Sequence, residues 1–139
     1  MNKLNLQNST LPLIGRVLLA AIFLISGVGK IAAPAATAGY IAAMGLPFPA
    51  LGVLLAIVVE VGAGLLLVLG YRTRLVALLL AAFSIVTGLV FHNAIGDQNQ
   101  LIHLLKNFAM AGGLLQVAAF GAGAFSLDAR TATPAVRTA

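Results

Sequence analysis

Cysteine is absent from this 139-residue chain, and acidic residues number only three. Without a thiol the polypeptide forms no disulfide and shuttles no electrons through a dithiol. Charged side chains make up 8% of the sequence, against roughly 25% in ordinary soluble domains. Such a chain cannot cover a water-facing surface. Equally missing are a Walker-type or dinucleotide glycine loop, a serine elbow and a pair of neighbouring carboxylates. Gly27 and Gly29 belong to the end of one apolar stretch, and Gly121 and Gly123 to the end of another.

What remains is apolar. Hydrophobic residues make up 61% of the chain and the mean hydropathy is +1.09. Four stretches stand out, at roughly 11–29, 48–69, 75–95 and 101–121. Leucine, isoleucine and valine alternate with alanine and glycine all round each one, the pattern of helices that meet no water on any face. Each is long enough for a bilayer core, which needs about 20 apolar residues. Transmembrane barrels use shorter, alternating segments, so the expected fold is all-α: an integral membrane four-helix bundle in a lipid bilayer.

The connections are short. Pro34, Pro47 and Pro49 punctuate the first, and Ala35–Met44 between them predicts a short interfacial helix with Tyr40 at headgroup level. Gly70-Tyr-Arg-Thr-Arg74 makes a tight turn with a glycine stop signal, and a polar patch from His92 to Gln100 joins the last two spans. Residues 1–10 read as an N-terminal segment, 11–123 as the transmembrane domain, and 124–139 as a small-residue, polar tail expected to be disordered. Arg16, inside the first apolar stretch, argues against a cleavable signal peptide.

The net charge of +5 is spread singly apart from Arg72/Arg74, which fits membrane orientation and not nucleic-acid binding. Lys3, Arg72, Arg74, Arg130 and Arg137 fall on one side of a four-span arrangement, and only Lys30 and Lys106 on the other. The positive-inside bias places both termini in the cytoplasm. Asp97 and Asp128 then lie on opposite sides.

Glu60 is the first candidate for a working centre. It lies near the middle of the second stretch, flanked by Ala56, Ala63 and Gly64, and a carboxylate at bilayer depth has to be neutralised, paired or held in a polar cavity. It has two readings, as a structural carboxylate bonded across helices or as a proton-accepting, ligand-orienting group. Arg16 shares a helical face with Phe23, Gly27 and Lys30. Its head either snorkels to the headgroups or reaches Glu60. Lys30, at the outer edge, reads as a membrane anchor.

A third cluster holds His92, Asn93, Asp97, His103, Lys106 and Asn107. The histidine spacing matches no metal-ligand pattern, so no metal is assigned. Lys106 and Asn107 lie one to two turns inside the last span. Asn107 can bond between helices, and Lys106 offers a charge to an anionic or quinonoid oxygen. Ser84, Thr87 and Gln116 read as interhelical bonds.

Taken in order, several of these pieces resemble the DoxX family of small four-helix bacterial inner-membrane proteins. They are Arg16-Val-Leu-Leu-Ala-Ala-Ile-Phe-Leu-Ile-Ser-Gly-Val-Gly-Lys30, Gly45-Leu-Pro-Phe-Pro49, Glu60-Val-Gly-Ala-Gly-Leu-Leu-Leu-Val-Leu-Gly70, Tyr71-Arg-Thr-Arg74, His92 and Lys106-Asn107. Gly62-Ala-Gly64 departs mildly from the family's usual glycine pair. The resemblance implies an inner-membrane location and a role near membrane redox chemistry, with a quinone or other lipophilic small molecule as ligand and an oxidoreductase as partner. On that reading Arg16, Glu60, His92, Lys106 and Asn107 are the ligand-binding residues, with Arg16 and Glu60 as a buried pair. A proton-linked transporter and a non-catalytic scaffold are the alternatives, and a homo-oligomer is compatible with all three.

Overall fold

The computed structural model describes residues 10–132. Its elements are α1 (Leu11–Ala32), α2 (Pro34–Ala43), α3 (Pro49–Leu69), α4 (Thr73–Phe91), α5 (Gln98–Phe120) and α6 (Leu127–Thr131). Among the described residues, α1, α3, α4 and α5 are the four helices long and apolar enough to cross a membrane. At about 1.5 Å per residue each spans roughly 30 Å, the thickness of a bilayer core. Residues 1–9 and 133–139, including the ends expected in the cytoplasm, lie outside the described residues.

Local signals explain the helix limits. Proline occupies the first turn of α1, α2 and α3, where its missing N–H has no intrahelical partner to lose. Asp97 caps α5 by accepting from the Gln100 amide, and Ser126 caps α6 by accepting from the Ala129 amide. At the end of α3, Gly70 turns left-handed with φ 68°. The amides of Gly70 and Tyr71 then donate back to the Leu67 and Leu66 carbonyls, a two-bond glycine stop.

α1 packs against α3 and α5, and α4 packs against α3 and α5, so the four spans close into a ring of antiparallel neighbours. Their shared core mixes Phe23, Leu67, Leu80 and Leu114 with Ala20, Ala63, Ala77, Ala81 and Ala111. The small residues let backbones approach closely where lipid supplies no hydrophobic drive between helices. Leu18, Ile25, Leu54, Leu75 and Leu105 point outward as a lipid-facing coat. The interfacial helix forms as α2 and packs on the start of α3 and the end of α1.

Two local features depart from expectation. Within α3, residues Val58–Ala63 form a π-helical turn, where a continuous α-helix was expected. Such turns shift the backbone bonding by one residue and re-aim the side chains that follow. The tail is not structureless throughout its described part: α6 docks against the bundle, with the Asp128 amide donating to the Gly70 carbonyl at 2.8 Å.

Candidate functional site

A cavity of about 1060 Å³ opens within the half of the bundle that carries α2. Its lining reaches Ile22, Glu60, Phe83 and Met110, each near the middle of its own helix, so the cavity penetrates to the centre of the bundle. The volume lies just above the roughly 300–1,000 Å³ usual for small-molecule sites. Most of the wall is apolar, from residues such as Phe23, Leu55, Val59, Phe83 and Phe91.

The polar groups gather around Glu60, which is 5% exposed and sits inside the π-turn. Lys30 Nζ lies 2.9 Å from Glu60 Oε2 and donates to Oε1 at 3.1 Å. Ser26 Oγ donates to Oε1 at 3.2 Å, and Lys30 also donates to Ser26 Oγ at 2.7 Å. Oε2 contacts the ammonium as an ion pair without meeting a donor along a hydrogen-bonding direction. A charged pair at this depth costs desolvation of both ions, which the mutual attraction and the serine bond offset.

Arg16 does not take part. Its guanidinium is fully buried nearer the other end of the bundle, where Nη1 donates to the Leu67 and Val68 carbonyls at 2.9 Å each and Nη2 donates to the Phe125 carbonyl. The expected Arg16–Glu60 pair is therefore replaced by Lys30–Glu60, and Arg16 lies outside the cavity lining. The reason is register. Gly27 of α1 faces Glu60 and Val61 of α3, whereas Arg16 is level with Gly70. Helical side chains lean toward the N-terminus of their own helix. Lys30 thus leans back into the bundle and meets Glu60, while Arg16 leans away from it. The reading of Lys30 as an edge anchor missed this. Direction of lean, together with Ser26 four residues earlier on the same face, is the sequence signal that carried it.

Glu60, His92, Lys106 and Asn107 all line the cavity, as does His103. The two imidazoles stack with ring centres 5.0 Å apart, and His92 Nδ1 lies 2.9 Å from Gln100 Oε1. Among the described residues no group of three histidine or acidic side chains could hold a metal, and Asp97 is engaged in capping α5. Asn107 donates to the His103 carbonyl at 3.1 Å within its own helix. Ser84 and Thr87 likewise bond back to Leu80 and Phe83, not across helices as expected. Tyr40 of α2 stacks on Phe91 and donates to its carbonyl at 3.2 Å, so α2 is tied across the end of the bundle.

At the opposite end Asp128 of α6 receives the amides of Arg72 and Thr73 at 2.7 and 2.8 Å, and so caps α4 from a distant point in the chain. Burial works against ionisation of Asp128. Bonds from Thr73 and from the Arg72 amide, with Arg16 nearby, outweigh it and hold the carboxyl below its ordinary pKa. Arg74 donates to the Ala118 and Ala119 carbonyls and closes the end of α5.

Comparison with known proteins agrees with this architecture. The DoxX family model matches residues 11–93. The inner membrane protein YqjF of Escherichia coli (strain K12) is 36% identical over 118 residues, covering 84% of this chain and 88% of its own. The inner membrane protein YphA of the same strain is 37% identical over 127 residues, covering 86% and 89%. No solved structure matches. With four candidate spans in the bundle and relatives that are themselves inner membrane proteins, the chain belongs to the DoxX family.

Proposed function

We propose that this protein is an inner-membrane subunit that binds a lipophilic, quinone-like redox ligand in the α2-side cavity and works with a partner oxidoreductase. The observation that carries the reading is the Lys30–Glu60–Ser26 cluster at the polar point of a deep, mostly apolar cavity. Ionisable side chains at membrane depth mark ligand and proton paths more often than packing, and π-turns concentrate at such sites. The donor set suits a quinone: an ammonium and hydroxyls suit ring carbonyl oxygens, and phenylalanines suit the ring and tail. A bound quinone supplies two-electron, two-proton chemistry. Within the chain, Lys30 and Ser26 orient the oxygen nearest Glu60, Glu60 holds or passes a proton, and Phe83 and Phe91 keep water from the ring. Electrons come from the partner protein, since the chain has no thiol.

Arg72, Arg74 and Arg130 lie at the end of the bundle away from α2. By the positive-inside bias that end faces the cytoplasm, which puts both termini inside and the cavity mouth outside.

The test is binding of menadione, a short neutral naphthoquinone, to protein in phosphatidylcholine nanodiscs. Wild type should bind saturably, and Glu60→Gln and Lys30→Met should each weaken binding while the fold persists by circular dichroism. Saturable binding unchanged in both variants would remove the site assignment. A scaffold would bind none at all.

A further inference from the structure

We infer that the cavity's ligand carries one negative charge, held by Lys106: it is a monoanionic amphiphile, a quinone-like ring bearing a carboxylate, sulfonate or ionised hydroxyl. This rests on the reading of the cavity as a ligand site and deepens it by naming the ligand's charge.

Every acidic side chain of the sequence already has a partner. The sequence contains three, Glu60, Asp97 and Asp128. Glu60 is committed to Lys30 and Ser26. Asp97 holds the Gln100 amide at the start of α5. Asp128 holds the Arg72 and Thr73 amides at the opposite end of the bundle. Lys106 lines the same cavity as Glu60 and makes no ion pair among the described residues. No side-chain carboxylate of this chain is left to neutralise it.

Its depth makes that matter. Leu19 of α1 packs on Gly113 of α5. The two helices run in opposite directions, so seven residues on from Leu19 is Ser26, and seven residues back from Gly113 is Lys106. Lys106 therefore stands level with the serine that bonds Glu60, on another wall of the cavity. With the Lys30–Glu60 pair neutral in sum, Lys106 is the unbalanced cation of the cavity lining. Lys106 is exposed at the rim of the cavity and not enclosed by it, and an unpaired ammonium at membrane depth is costly until an anion meets it. An anionic head on an apolar body satisfies the charge and fills the remaining space at once. Snorkelling of Lys106 to a lipid phosphate supplies the same chemistry from another source, and the two predict different ligand selectivity.

The experiment measures 2-naphthoate and its uncharged isostere 2-naphthamide against wild type, Lys106→Gln and Lys106→Arg in phosphatidylcholine nanodiscs at pH 7, with empty nanodiscs subtracted. Wild type should favour the naphthoate by about tenfold, the usual scale of a charge-assisted bond. Lys106→Arg should keep the preference and Lys106→Gln should lose it while still binding the naphthamide. Equal affinity of the two probes for wild type assigns Lys106 to lipid phosphate and overturns the inference, leaving the cavity as a site for neutral ligands. A preference that survives Lys106→Gln also overturns it. Failure of both probes and of menadione to bind overturns the ligand site itself.

Discussion

Gly27 and Val61 face each other so closely that a β-carbon on Gly27 would lie 2.6 Å from Cγ2 of Val61 and 3.1 Å from Cβ of Glu60. This contact sets the spacing of α1 and α3 at the depth where Lys30 and Glu60 meet. Gly27→Ala forces a branched side chain and the π-turn behind it to move. Overpacking of this kind costs about 1–3 kcal/mol. Thermal unfolding in detergent should fall accordingly, and menadione affinity should fall with it, because the ion pair is displaced.

The buried guanidinium of Arg16 makes a structural prediction. It joins the last turn of α3 to the segment before α6 through three carbonyls. Arg16→Leu removes three donated bonds, although the Leu67 carbonyl keeps the Gly70 amide, and should lower stability by about 2 kcal/mol or more. Ligand affinity per folded molecule should stay unchanged, as Arg16 lies outside the cavity. A selective loss of binding with stability intact would contradict this division of labour.

Asp128 predicts a pH dependence. Its carboxyl titrates below the ordinary aspartate value in the folded state, so its contribution to stability is complete above the unfolded-state pKa and is lost as pH falls through the lowered one. Wild type should therefore lose stability relative to Asp128→Asn as the solution is acidified below about pH 4. Asp128→Ala removes the cap of α4 and should cost about 1 kcal/mol at neutral pH. Unfolding midpoints measured from pH 7 to pH 3 check both.

Tyr40 predicts a local effect. Its ring stacks on Phe91 and its hydroxyl donates to the Phe91 carbonyl. Tyr40→Ala should raise hydrogen exchange across Pro34–Ala43 while leaving the four spans protected, since few other bonds tie α2 to the end of α4.

The four spans, the interfacial helix and the turn glycine at Gly70 were legible because each rests on local chemistry: long apolar runs, prolines at helix starts, a glycine stop. Glu60, His92, Lys106 and Asn107 were legible as a group because polar residues in apolar runs are rare, and all four line one cavity. The partner of Glu60 was not. Arg16 looked right by reach along the helix, but pairing depends on which residues of α1 and α3 stand level, and that is set by the Gly27–Val61 contact. The π-turn was hidden for a similar reason. Val-Val-Glu-Val-Gly-Ala reads as ordinary helix, and only packing around Glu60 decides where the extra residue is absorbed. Likewise the Asp128 cap joins residues 55 and 56 positions apart, beyond any local pattern.

The most direct test of the central claim is where a ligand goes. A diazirine-bearing naphthoquinone, photolysed with the protein in nanodiscs and followed by peptide mapping, should label residues that line the cavity, such as Leu55, Phe83 and Met110, and excess menadione should suppress that labelling. Labelling confined to lipid-facing residues such as Leu18, Leu75 and Leu105, undiminished by menadione, would contradict the account.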